Sequence, residues 1–205
     1  MPIDPPGIDP HFDYTHGILK NLTGLITQKE LDRFETAEAA QALVRLQIKP
    51  VKGSFNVTHL KEIHARIFQN IYPWAGEFRQ VNIRRSGSYF FALVQFMEQN
   101  LESTLVKLAS EDCLKGLDAD AFASRAAYYL GELNAIHPFR EGNGRTQREF
   151  IRQLAAEAGY RINWGHVTRE QMYDASIESH NLGRSGAFTA LIRSAIEPDK
   201  RPATP

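Results

Sequence analysis

The chain has a single cysteine, Cys113, among its 205 residues. One thiol forms neither an intramolecular disulfide nor a cysteine-based zinc site, and such a composition suits a reducing cytoplasm. Charge of one sign is also lacking: 24 Lys+Arg balance 24 Asp+Glu. That balance gives no global attraction to nucleic acid or to an anionic membrane, so no direct nucleic-acid contact is expected. No apolar run reaches the roughly 18 residues of a membrane span, and none is expected. The opening "MPIDPPGIDP" has neither the basic nor the apolar region of a secretory signal. With 42% hydrophobic and 23% charged residues, the chain can build a core and is not of disordered composition.

What remains is mostly helical periodicity. Residues 1–17 read as an irregular arm, 18–197 as one folded domain, and 198–205 as a tail or the start of a linker. "TQKELDRFETAEAAQALVRLQI" opens with Thr27 and Glu30 in capping-box spacing and sets Leu31, Phe34, Ala42, Leu43 and Leu46 at helical intervals. "NVTHLKEIHARIFQNIY" aligns Leu60, Ile63, Ile67 and Ile71. Two long helices are expected before Ile136 and three more after Gly144, with Thr168 and Gln171 as a second capping box. One segment departs from this pattern. "EFRQVNIRRSGSYFF" has short β-prone runs around "RRSGS" and predicts a hairpin that must lean on the helices. The fold class is mainly α with a small two-stranded flap.

The chemistry concentrates in "HPFREGNGRTQR", His137 to Arg148. Pro138 disfavours the α conformation at the residue before it, so one helix should stop near Ile136 and present His137 from its end. The glycines allow positive φ and close approach to backbone, and Asn143 is a good N-cap residue for the next helix. That helix N-terminus is an anion site. Arg145 and Arg148 share one face of its first turns, where two cations oppose the macrodipole at a cost of a few tenths to about 1 kcal/mol each. An anion held between them offsets that cost, and phosphates suit guanidinium groups best. Glu141 would be repelled by a polyphosphate unless a Mg²⁺ ion bridges the two. An unperturbed histidine titrates near 6.5, which suits His137 to the role of general base. Taken singly, each element is more often a helix stop, a turn or a solvated face. Together they are a kit for phosphoryl-type transfer, without a choice between attack at the α- and the γ-phosphate.

The same residues resemble the Fic family signature, His-x-Phe-x-Asp/Glu-Gly-Asn-Gly-Arg-x-x-Arg, at His137, Phe139, Glu141, Gly142, Asn143, Gly144, Arg145 and Arg148. "YPWAGEFRQVNI" is similar to the family's lead into its flap, and the resemblance spans about residues 31–196. It implies a Fic fold, a helical bundle with the motif loop between two central helices. It also implies AMP transfer from ATP to a protein hydroxyl, pyrophosphate leaving. His137 would then be the base, Glu141 the Mg²⁺ ligand, and Gly142, Asn143 and Gly144 the anion hole. Arg145 and Arg148 would bind the outer phosphates, and Phe139 would anchor the loop. Family members that act as kinases carry a lysine in the anion loop, whereas Gly142-Asn143-Gly144-Arg145 resembles the AMP-transferring type. Transfer from another nucleotide donor, transfer of phosphate, and a non-catalytic antitoxin-binding module are the alternatives.

The resemblance extends to partners. The flap would dock an extended segment of the target by β-augmentation, with Arg79, Val81, Ile83, Arg84, Arg85, Tyr89 and Phe90 as its docking residues. Arg84 and Arg85 serve equally well as soluble turn residues that guard an edge. Tyr173 and Asn181 resemble positions lining the adenosine pocket. Many Fic enzymes carry an inhibitory helix of pattern Ser/Thr-x-x-x-Glu-Gly/Asn. Only Glu141 precedes a Gly or Asn here, and His137 stands four residues before it. That absence resembles the class held off by a separate small antitoxin whose helix would reach Arg148. Topoisomerase subunits and GTPases are the target classes the family implies. A cytoplasmic toxin-like enzyme is expected; a longer effector form would be delivered into a host cell.

Overall fold

In the computed structural model, residues 8–84 and 89–197 are described. Seven α-helices make the frame: α1 Gln28–Ile48, α2 Val57–Phe68, α3 Val94–Ser110, α4 Ala119–Ile136, α5 Asn143–Glu157, α6 Arg169–Leu182 and α7 Gly186–Ala195. Helices α4 and α5 occupy the centre. Ala126, Ala127, Leu133, Phe150, Ile151 and Leu154 are buried on them without residual exposure. The stripe expected on α2 is buried as well, including Ile71 just beyond its end. Gly131 lets α4 approach α6 closely, since a Cβ there would lie 2.9 Å from the Ser179 hydroxyl oxygen.

The helix starts follow capping chemistry. Thr27 accepts from the Glu30 amide, but its hydroxyl donates to the Glu30 carboxylate at 2.5 Å, so the reciprocal bond to the cap amide is not made. Thr168 and Gln171 form the full reciprocal box, which satisfies two otherwise orphaned donors at the start of α6. Asp118 accepts from the Asp120 and Ala121 amides and starts α4.

The strands fall elsewhere than expected. The two-stranded antiparallel sheet is β1 Phe12–Asp13 with β2 Ile18–Leu19, so the segment expected to be irregular holds a strand. It is fastened to the turn after α2: His11 is buried against Trp74 at a ring separation of 4.9 Å. In the flap, Arg84 and Phe90 pair as one isolated antiparallel bridge, and the Phe91 amide donates to the Ile83 carbonyl at 3.2 Å. Among the described residues, the run 78–83 leans on the helices and forms no longer ladder. Arg85 and the tail 198–205 lie outside the described residues.

Candidate active site

Helix α4 ends at Ile136 because Pro138 follows His137, and His137 takes left-handed φ 50° and ψ 62°. That conformation costs a non-glycine residue about 1–2 kcal/mol, so the surroundings must hold it. The His137 amide donates to the Leu133 carbonyl at 2.9 Å, and its ring stacks on Phe91 at 3.7 Å and 11°. Nδ1 lies 3.2 Å from the Asn134 carbonyl. A carbonyl only accepts, so Nδ1 carries a proton, and in the neutral ring the lone pair is on Nε2.

The orphan carbonyls of the α4 terminus meet Arg79. Its Nε donates to the His137 carbonyl at 2.8 Å and its Nη2 to the Ile136 carbonyl at 3.2 Å. The same guanidinium donates to the Val81 carbonyl at 2.8 Å and to the Ala92 carbonyl. A cation at a helix C-terminus is favourable, and here it ties both sides of the flap base to the catalytic turn. Arg79 is only 1% exposed, and burial lowers its pKa to about 10. Its expected place on the docking edge is therefore corrected. Arg79 sits beneath the edge because four main-chain carbonyls of the helix end and flap need a donor there.

The loop after His137 is braced at both ends. Phe139 is buried and stacks on His64 at 3.9 Å and 14°. His64 Nδ1 accepts from the Gly76 amide at 2.8 Å, leaving Nε2–H to donate to the Glu141 carbonyl at 3.1 Å. Desolvation lowers the His64 pKa to about 3, so the ring is neutral and each nitrogen is satisfied. Asn143 lies one residue inside α5, and Gly142 takes the N-cap place with φ 79°. The Asn143 amide group instead exchanges two hydrogen bonds with the Phe139 backbone, at 2.9 and 2.7 Å. It closes the loop and does not cap the helix, because the left-handed glycine already turns the chain. A Cβ at Gly142 would lie 2.2 Å from Phe68 Cζ, so this position needs glycine for both backbone and space.

The two arginines differ in their surroundings. Arg145 Nη2 pairs with Glu35 at 2.6 Å and lies 3.4 Å from Glu141, with its guanidinium 4.8 Å over the Phe68 ring. Glu35 also accepts the Tyr72 hydroxyl. Arg148 is half-buried, and no carboxylate pairs with it among the described residues. Desolvation, then repulsion from Arg145 and Arg169, lowers its pKa to about 10, which leaves it charged at neutral pH. Its main chain is held by Trp164, whose Nε1–H donates to the Arg148 carbonyl at 3.1 Å.

These groups share one cavity of about 680 Å³, lined by His137, Glu141, Gly142, Asn143, Gly144, Arg145 and Arg148. All the motif residues expected in the site are brought together. Tyr173 also lines the cavity, but Asn181, on the last turn of α6, does not. Among the flap residues, Val81 and Ile83 are half-buried while Arg84, Tyr89 and Phe90 are exposed. Sequence reasoning missed Glu35, His64, Asn134, Trp164 and Arg169. Arg169 carried a usable signal: it opens α6 behind the Thr168 cap, a cation opposing a helix dipole as Arg145 does.

A model of the Fic/DOC family matches residues 54–155. Protein adenylyltransferase VbhT of Bartonella schoenbuchensis is 47% identical over 90% of this chain, which spans 38% of that protein's length. "Probable protein adenylyltransferase y4lH" of Sinorhizobium fredii is 34% identical, covering 89% of this chain and 92% of the relative. The N-terminal Fic domain of a VirB-translocated Bep effector of Bartonella quintana, solved with bound ADP, superposes with a TM-score of 0.87 at 29% identity, covering 93% of this chain and 95% of that one. BepC of Bartonella tribocorum, with bound AMPPNP, gives 0.83 at 27% identity, covering 89% and 93%. With that coverage and the complete signature around the cavity, the chain belongs to the Fic/DOC family.

Proposed function

We propose that this chain is a protein adenylyltransferase that moves AMP from ATP to a hydroxyl group of a target protein. One observation carries the reading. A desolvated Arg148 with no carboxylate partner among the described residues faces the same cavity as a His137 ring whose Nε2 bears the lone pair. A buried cation of this kind is costly unless a ligand supplies the charge, and a nucleotide polyphosphate supplies it.

The target hydroxyl oxygen attacks the α-phosphorus while His137 Nε2 accepts its proton. The bond from the α-phosphorus to the bridging oxygen breaks, and pyrophosphate leaves. The amides of Asn143, Gly144 and Arg145 lack intrahelical acceptors by their place in the first turn and face the phosphates with Arg145 and Arg148. Arg145 stays aligned through Glu35 and Tyr72. Glu141 offers one half-exposed carboxylate, whose Oε1 accepts from the Gly142 amide at 2.8 Å. Mg²⁺ commonly takes one or two carboxylates together with phosphate oxygens and water, so Glu141 fits as its protein ligand. Bound there, Mg²⁺ would neutralise charge building on the phosphates. Tyr173 is the proposed nucleoside contact. The exposed flap residues Arg84, Tyr89 and Phe90, with Val81 and Ile83 behind them, form the proposed target edge; topoisomerase subunits and GTPases are the proposed target classes. A separate antitoxin helix that places a carboxylate on Arg148 would compete for the same charge.

The test is incubation of the chain with Mg²⁺, α-³²P-labelled ATP and an unfractionated bacterial lysate. Label should appear on protein and vanish with His137→Ala. Equal labelling by that variant would remove His137 from its role.

A further inference from the structure

The catalytic ring does not stand alone. Phe91 lies against His137 at 3.7 Å, and on the Phe91 ring rests a second histidine, His180 of α6, at 4.6 Å and 42°. The Nε2 of His180 is 3.1 Å from the carbonyl oxygen of Tyr89. Two residues on, the Phe91 amide donates to the Ile83 carbonyl, and the Ala92 amide donates to the Ala135 carbonyl at 3.0 Å at the end of α4. The return side of the flap is therefore held from below by α4 and from the side by α6. His180 makes the attachment from α6, beside the Arg79 contact to the Ala92 carbonyl.

We propose that His180 is a positioning residue for the transfer reaction. It latches the flap at Tyr89 and clamps Phe91 against the catalytic imidazole, so the docking edge and the base keep one fixed separation. The proposal rests on the adenylyltransferase reading above.

The chemistry of the ring supports a latch. The Tyr89 carbonyl can only accept, so Nε2 of His180 carries a proton. Nδ1 is buried and has no hydrogen-bond partner among the described residues. The Nε2–H donor goes to the flap. Geometry explains why this matters for a peptide-binding edge. Among the described residues the flap pairs with itself through one isolated bridge, Arg84 with Phe90, and a two-stranded ribbon is marginal by itself. An edge that must receive an extended target segment needs an outside support that leaves its backbone direction unchanged. One side-chain donor on the Tyr89 carbonyl, next to the aromatic contact on Phe91, is such a support.

The test uses the whole chain in three forms: wild type, His180→Ala and His180→Gln. The glutamine keeps a side-chain N–H that can reach the carbonyl. Hydrogen exchange read by mass spectrometry should show residues 89–92 exchanging about 5- to 10-fold faster in His180→Ala, the weight of one hydrogen bond, with the glutamine restoring most of the protection. With α-³²P-labelled ATP and serial dilutions of a bacterial lysate, the half-saturating lysate concentration should rise by a similar factor in His180→Ala and return towards wild type in His180→Gln. ATP affinity and thermal midpoint should stay within twofold and about 2 °C of wild type. Unchanged flap exchange together with an unchanged half-saturating concentration would overturn the latch. A uniform loss of ATP binding, exchange protection and thermal midpoint would also overturn it, because that pattern is general destabilisation. Absence of labelling by the wild type would count against the adenylyltransferase reading, while the exchange result would still decide the latch.

Discussion

Arg148→Met is expected to make the protein more stable and less able to bind nucleotide. The opposite signs follow from one property of the site. Arg148 is desolvated, faces Arg145 and Arg169, and has no carboxylate partner among the described residues, so its pKa falls from the ordinary guanidinium range to about 10. At about 1.4 kcal/mol per unit, that fall corresponds to about 3 kcal/mol against keeping the charge in the folded state. Folded and unfolded chains are both protonated at neutral pH. The cost is therefore present in full at pH 7 and is relieved only as pH rises past about 10. Methionine fills a similar volume without the charge, and some packing is lost, so a net gain of about 1–2 kcal/mol is expected. Urea unfolding of the nucleotide-free chains at pH 7 measures it. Titration with ATP and Mg²⁺ measures the other arm, where loss of a charge-assisted contact should weaken binding by roughly 10- to 100-fold. A variant less stable than wild type by more than 1 kcal/mol, or one that binds ATP as tightly, would refute the reasoning.

Gly142→Ala should destabilise by about 2–5 kcal/mol, combining left-handed strain with overpacking against Phe68. In the Phe68→Leu background the overpacking should ease while the strain remains, so the double variant should be less destabilised than the two single losses added together; a simply additive result in urea unfolding would refute the close contact. His64 gives a pH prediction. The unfolded chain takes up its proton below about 6.5, the folded chain only near 3, so the His64 contribution is full above pH 6.5. It falls as pH drops towards 3, by up to about 1.4 kcal/mol per unit. The stability gap between wild type and His64→Phe, followed from pH 7.5 to 5, should narrow; a constant gap would mean that the ring is not held neutral.

The helices and the motif were legible because both are local. Apolar spacing along α2 placed that face in the core, and Pro138 marked the end of α4. The arginines point to an anion site because cations crowd a positive helix end within four positions. The rest depended on contacts that sequence order does not encode. Arg79 in a β-prone run looks like an edge residue, and nothing near it shows that four carbonyls from three segments converge on its guanidinium. His64 lies 77 positions from the Glu141 carbonyl it holds, and Glu35 lies 110 from Arg145. Asn143 shows a subtler miss. Its chemistry suits an N-cap, yet Gly142 had already turned the chain, which freed the Asn143 side chain to close the loop. Among the described residues the flap shows one bridge where a longer ladder was expected, because β propensity registers side chains that suit a strand and not whether a partner strand runs alongside.

The central claim is tested most directly by the mass added to a modified protein. The chain is incubated with ATP and Mg²⁺ in a bacterial lysate, and modified proteins are identified by peptide mass spectrometry, with His137→Ala in parallel. The account predicts peptides carrying one AMP on a hydroxyl side chain, absent from the His137→Ala sample. Peptides gaining a phosphate and no AMP, or the same AMP peptides in both samples, would contradict it.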